Sequence, residues 1–387
     1  MVLYGVGIIV GAGIYVLIGT VAARAGYGAP LAFLIAGALA ALVTLSYAEF
    51  VTRFPEAAGA AAYVKEGLGS VWLSGLVGFT TVALIVLSCA AIALGSGGYA
   101  EELLGVQRLP AAAVLVLAFT ALACLGVRQA VGVAALMAVL EIGGLLFVIV
   151  VGAMSGETPQ RPILWTNDLV APFGLLSGAF ASFFAYIGFE SMVNLAEEVE
   201  RPERTMPRAL LTSIAIAALL YVGVAVVSVS VMPPAELATK PAALAAIVET
   251  ALGGESVPFN ALALGATANG VLIEIIAVSR LVYGMAHRGL LPAWFGVASR
   301  RTQVPVRATL VAGGITALLV VAIPFDELVV ATSSLTLAVF GLVNLALYRL
   351  KRRETAADSK PMFRVPLFLP ALTAVLCAAL IAIGLAQ

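Results

Sequence analysis

Long apolar stretches alternate with short polar, proline- and glycine-rich connectors along the whole chain. A bilayer core takes about 20 helical residues at 1.5 Å each. Eleven stretches meet that length: 2–23, 29–51, 70–97, 110–127, 130–153, 171–197, 207–232, 257–286, 306–324, 327–349 and 367–386. The pattern predicts an all-α polytopic membrane protein of about eleven transmembrane helices.

Two of these spans are interrupted. Span 1 reads GIIVGAGIY over residues 7–15. Glycine costs a helix interior about 1 kcal/mol relative to alanine. Within a bilayer, backbone groups freed by a helix break are tolerated only beside a cavity or a ligand. Gly11 and Gly13 bracket such a break, and their missing Cβ atoms admit unusual φ/ψ and a close ligand. The half-helix after it offers free N–H groups and a positive dipole end, which suit a carboxylate. The half-helix before it ends in carbonyls, which suit an ammonium group. A second reading is helix packing, since Gly7 to Gly11 is a GxxxG motif.

Span 6 favours the first reading. It runs FFAYIGFES over 183–191, with Gly188 two residues before Glu190. A carboxylate deep in a span marks a functional site by default. Span 6 opens a second five-helix unit, and paired interruptions at corresponding positions of two repeats point to a transporter binding site. An odd number of spans per repeat forces inverted topology. The organisation predicted is therefore a first repeat over 1–153, a second over 171–349, and a cytoplasmic linker with a peripheral helix over 350–387.

Charge orients the chain. With the N-terminus inside, 17 of the 21 basic residues fall on the cytoplasmic side, and only Arg24, Arg108, Arg161 and Lys240 lie outside. A multi-pass protein of the cell membrane with a cytoplasmic N-terminus is expected. Composition agrees: 62% hydrophobic and 11% charged, with mean hydropathy +1.10, against about 45–50% and about 25% in soluble proteins. A net charge of zero gives no sign of a nucleic-acid partner. Cys89, Cys124 and Cys377 lie in apolar stretches and fit neither a disulfide framework nor a metal site. No signal-peptide pattern opens the chain, whose first segment reads as a mature span with a clipped start. No G-x-x-x-x-G-K-[ST] run and no HExxH, paired aspartates or nucleophile–base pair is present. No catalytic residue, cofactor or metal is expected.

Four motifs in order carry a family resemblance: GAGIY at 11–15, YAEFVTRFPEAAGAAAYVKEGLG at 47–69, FFAYIGFESMVNLAEEVERPERTMPRAL at 183–210 and SRLVYGMAHRGLLPAWF at 279–295. The chain resembles bacterial amino-acid permeases of the amino acid–polyamine–organocation superfamily over nearly its whole length. The resemblance implies the five-plus-five inverted-repeat fold shared with sodium-coupled leucine transporters, with helices 1 and 6 broken at the bilayer midplane. It implies a substrate α-carboxylate at Gly11, Ala12, Gly13 and Ile14. The α-amine would meet carbonyls near Ile8, Ile9, Phe184, Ala185 and Ile187, with Phe184 and Glu190 as gate residues.

Many relatives carry a lysine in helix 5 where this chain reads VLEIGGLL, with Glu141 at the matching position. A carboxylate there suits a proton carrier, a cation site or a structural pair. Glu274, in span 8, has no counterpart in the family motif; it faces a substrate side chain or a cation, or is a structural carboxyl. Ser279 is a candidate for the ion or proton site beside span 1 and Glu141. Asn194 and Asn269 read as buried interhelical amides, and His287 as a surface residue. Span 3 carries no charge over 74–94, which favours neutral side chains. The expected function is a proton-coupled symporter of neutral amino acids working by alternating access, with sodium the lesser candidate. The alternatives are an exchanger, a transporter of cationic amino acids or polyamines, and a receptor or channel. Oligomeric state is not readable.

Overall fold

The computed structural model describes residues 1–55, 59–126, 131–155, 172–354 and 362–386. Arg128, Arg161 and Lys360 of the topology argument lie outside them. Among the described residues every regular element is a helix. The first eight are α1 (Val2–Val10), α2 (Ala12–Ala25), α3 (Ala29–Arg53), α4 (Ala60–Leu68), α5 (Val71–Leu104), α6 (Arg108–Cys124), α7 (Val131–Met154) and α8 (Pro172–Phe183). After two 3-10 segments come α9 (Pro202–Val231), α10 (Pro234–Leu237), α11 (Ala243–Leu252), α12 (Val257–His287), α13 (Val306–Ala322), α14 (Phe325–Arg353) and α15 (Phe368–Leu385).

Eight helical stretches among the described residues are long and apolar enough to cross a membrane. One of them, Ala12–Arg53, holds both α2 and α3 around a turn at Gly26–Gly28. The 17-residue helices α6 and α13 sit at the short end of spanning length. The chain is a multi-pass membrane protein. Its outward positions are apolar as lipid contact requires: Leu117, Val114, Leu318 and Val321 are exposed side chains of α6 and α13.

Two elements differ from the sequence expectation. Span 3 continues to Leu104, through Gly95, Gly97 and Gly98. These glycines serve packing instead of ending the helix: a Cβ on Gly98 would stand 2.3 Å from the Pro241 carbonyl oxygen. The connector 233–256 holds α10 and α11, which pack on α2, with α11 also against α7. Their buried face (Leu244, Ile247, Val248) covers that end of the broken helix.

α3 packs most extensively on α9, α2 on α8, and α12 on α5. α14 lies between α5, α4 and α15. At the end carrying Arg53 and Lys351, called here the basic end, five charged groups join three parts of the chain. Glu49 is fully buried and accepts from Lys351 Nζ at 2.8 Å on each oxygen, from the Val365 N–H at 2.8 Å, and from Arg53. Arg53 also pairs with Glu354, which pairs with Arg364. Buried charge is tolerated only when paired and hydrogen-bonded; here the pairing fixes the connector before α15 against α3 and α14.

Candidate functional site

Both sequence interruptions are real breaks. α1 stops at Val10, Gly11 adopts φ −28° and ψ −140°, and α2 starts at Ala12. The Gly11 N–H donates to the Gly7 carbonyl at 3.2 Å. No side chain caps the start of α2, so the N–H groups of its first turn, at Ala12, Gly13 and Ile14, have no intrahelical acceptor. In span 6, α8 passes into a 3-10 turn at Phe184–Tyr186, Ile187 is extended, and Gly188 takes φ +124°. A left-handed φ of that size is open to glycine and strained for other residues. The chain then continues as a 3-10 segment, Phe189–Glu198.

The two breaks touch. A Cβ on Gly13 would stand 2.8 Å from the Ala185 Cα, and one on Gly188 would stand 3.0 Å from the Ile8 carbonyl oxygen. Glycine at both positions is what lets the backbones of the two broken spans meet. The Phe184 carbonyl accepts from the Ile187 N–H at 3.2 Å, and the Gly188 N–H donates to Glu190 Oε2 at 2.9 Å. Glu190 therefore caps its own turn. Phe184 is buried.

Sequence reasoning missed Tyr221 of α9. Its hydroxyl lies 2.6 Å from the Ile9 carbonyl oxygen and 2.8 Å from that of Ala185. Its ring meets Phe33 and Tyr186 edge-on. A tyrosine in an apolar span reads as core, and nothing in its spacing marks the hydroxyl.

The coupling candidates occupy different faces. Glu141 on α7 is 3% exposed. Its carboxylate accepts from Asn269 Nδ2 of α12 at 3.4 Å, and its carbonyl accepts from Tyr15 of α2 at 2.7 Å. Tyr99 of α5 donates to the Tyr15 carbonyl at 2.8 Å, so four helices, α2, α5, α7 and α12, are linked here. No ion pair involves Glu141 among the described residues. Glu274 turns instead toward α5, accepting from Ser88 at 3.2 Å. Ser279 donates to the Ile276 carbonyl and lines a cleft with Arg280 and Thr302. It stands ten residues beyond Asn269, about 15 Å along the helix, and is not brought to Glu141. Asn269 is the interhelical amide expected; Asn194 is exposed on the 3-10 segment, where a short polar turn faces outward. His287 is exposed at the end of α12.

On the basic side of the span 6 break, an aromatic layer fills the space between helices. Tyr47 of α3 meets Tyr63, Phe189 and Phe340 edge-on, with centroids 5.8, 5.7 and 5.6 Å away. Phe50 stacks on Tyr63 at 4.6 Å.

Comparison with known proteins places this architecture. The family model described as amino acid permease matches residues 1–387. The cationic amino acid transporter 3, mitochondrial, of Arabidopsis thaliana is 32% identical over 373 residues, covering 90% of this chain and 60% of the relative. The branched-chain amino acid permease of Bacillus subtilis is 28% identical over 392 residues, 95% of this chain and 82% of the relative. The methylthioribose transporter of the same bacterium is 30% identical over 397 residues, 96% and 83% of the two chains. The chain spans about 60% of the length of the plant and animal cationic amino acid transporters it matches. With the match running the full length, across both breaks, the chain belongs to the amino acid permease family.

Proposed function

We propose that this protein is a secondary transporter of amino acids that works by alternating access around the two breaks. The observation that carries the reading is the meeting of Gly13 with Ala185 and of Gly188 with Ile8, which gathers unpaired N–H groups and carbonyl oxygens at one point. The N–H groups of Ala12, Gly13 and Ile14 take the α-carboxylate. Carbonyls of Ile8, Ile9, Phe184, Ala185 and Ile187 take the α-amine, with Tyr221 ceding Ile9 and Ala185 as substrate enters. Phe184 and Glu190 gate the site. The aromatic layer around Tyr47 closes the path toward the basic end, which is the cytoplasmic side of a cell membrane. The two halves, 1–153 and 171–349, are inverted repeats, and one helix bundle rocks against a scaffold around the site between the breaks.

The substrate is a neutral amino acid and the driving ion a proton. Span 3 carries no charge over 74–94, and Glu141, buried and without a cation partner among the described residues, is the residue able to exist charged in one step and neutral in another. A second reading, a cationic amino acid, is favoured by Glu274: half-buried in mid-span, its carboxylate has one hydroxyl partner among the described residues. The cationic transporters among the relatives lean the same way. Counterflow separates these. Proteoliposomes loaded with each unlabelled amino acid in turn are offered trace label outside. Exchange confined to neutral amino acids supports the first reading, and exchange of lysine or arginine the second. No exchange of any amino acid removes both.

A further inference from the structure

The basic end of α12 and the loop to α13 hold a cleft that shares no lining residue with the two breaks. Its volume is about 310 Å³, and Ser279, Arg280, Tyr283, Thr302, Gln303 and Gly126 line it. Charge in this sector has one sign. Between Glu274 and Asp326 the sequence carries Arg280, Arg288, Arg300, Arg301 and Arg307 and no Asp or Glu. Across the same end, Arg53, Lys351 and Arg364 are each paired with Glu49 or Glu354. The rule that basic residues stay inside accounts for the arginines' side of the membrane. It does not account for the lack of Asp and Glu in this stretch, nor for the cleft.

The cleft is built. The Ser299 N–H donates to the Val304 carbonyl at 2.8 Å and the Gln303 N–H to the Ser299 carbonyl at 2.9 Å. Gln303 holds a left-handed φ of 58°, uncommon outside glycine. Gly126, at φ 79°, lets the end of α6 close on the loop, since a Cβ there would stand 2.8 Å from the Thr302 Cβ. The Thr302 hydroxyl is buried without a partner, and Arg280 forms no ion pair, both among the described residues. Buried hydroxyls are normally hydrogen-bonded, so an orphan calls for an explanation. Depth is given by Trp294, on the same loop, 44% exposed, stacked on Phe295 and accepting at its carbonyl from Arg307. An exposed tryptophan at a span end sits at headgroup level.

We propose that this cleft binds the headgroup phosphate of an anionic phospholipid, with Arg280 as the charge partner and Thr302 and Tyr283 as hydrogen-bond donors. Basic pockets between spans at the interface suit such headgroups, and the assignment stands apart from the choice of amino acid. The test titrates short-chain phosphatidylglycerol into detergent-purified protein and reads the rise in Tm. Phosphatidylcholine of the same chains and inorganic phosphate are the other probes. Phosphatidylglycerol is expected to stabilise the protein, with half-saturation raised about fivefold in Arg280→Gln and unchanged in Arg352→Gln, at the end of α14. Thr302→Val, which keeps every charge, weakens the response in the same direction and serves if Arg280→Gln does not fold. Equal stabilisation by phosphatidylcholine, or wild-type half-saturation in whichever of the two cleft variants folds, overturns the proposal. A shift with inorganic phosphate equal to that with phosphatidylglycerol makes the cleft a free-anion site and overturns the lipid assignment.

Discussion

The Tyr221 hydroxyl donates to the Ile9 carbonyl across 2.6 Å and stands 2.8 Å from the Ala185 carbonyl, so one proton serves both broken helices. A phenol has a single donor, whereas an ammonium has three and can satisfy both carbonyls together. On the function proposed above, a substrate amine would replace Tyr221 at these two carbonyls. Tyr221→Phe keeps the ring against Phe33 and Tyr186 but leaves the carbonyls bare. An unsatisfied buried group costs about 1–3 kcal/mol. The substrate-free variant is expected to melt lower than wild type, and saturating substrate to raise its Tm by more than it raises that of wild type. Identical melting with and without substrate would show that the hydroxyl is not a stand-in.

Of the two contacts between breaks, Gly13 makes the tighter one against backbone. Replacing it with alanine forces a methyl group to within 2.8 Å of the Ala185 Cα, where backbone must move. Gly143 on α7 has open space beside it. Uptake by Gly13→Leu, checked for insertion and folding, should be lost, and Gly13→Ala should retain a tenth or less. Gly143→Ala should transport as wild type. Full activity in Gly13→Leu would remove the carboxylate site from α2.

Glu141 bears the proposed coupling. Glu141→Gln keeps the hydrogen-bond geometry toward Asn269 but cannot release a proton. Counterflow should survive in this variant while accumulation driven by a pH gradient disappears. Unaltered gradient-driven accumulation would leave Glu141 a structural carboxyl.

What could be read from the sequence depended on local contrast. Gly11, Gly13 and Glu190 stand out because glycine pairs and carboxylates are costly in an apolar run, and the structure places a break at both spans. Tyr221 was invisible because its ring is ordinary core and only its distant partners reveal the hydroxyl. The Glu49 cluster was missed for the same reason: Lys351 lies 302 residues away in sequence. Gly97 and Gly98 misled in the other direction, marking close packing against Arg108 and Pro241 where a helix end was expected. Ser279 was grouped with Glu141 from the resemblance, yet helix rise carries it about 15 Å past Asn269.

The charge cluster makes its own prediction. Lys351→Met leaves Glu49 buried with Arg53 as its remaining cation, and removing one partner of a buried pair costs about 3–5 kcal/mol. The single variant should melt well below wild type. Glu49→Gln combined with Lys351→Met should recover much of the loss, because no uncompensated charge is left. A double variant no more stable than the sum of the singles would mean that the groups act independently.

The most direct measurement is uptake of radiolabelled amino acids by proteoliposomes under an inward proton gradient, with and without sodium. The account predicts accumulation of a neutral amino acid that a protonophore abolishes and sodium leaves unchanged. Substrate that binds the purified protein but never accumulates, under either gradient or by exchange, would contradict it.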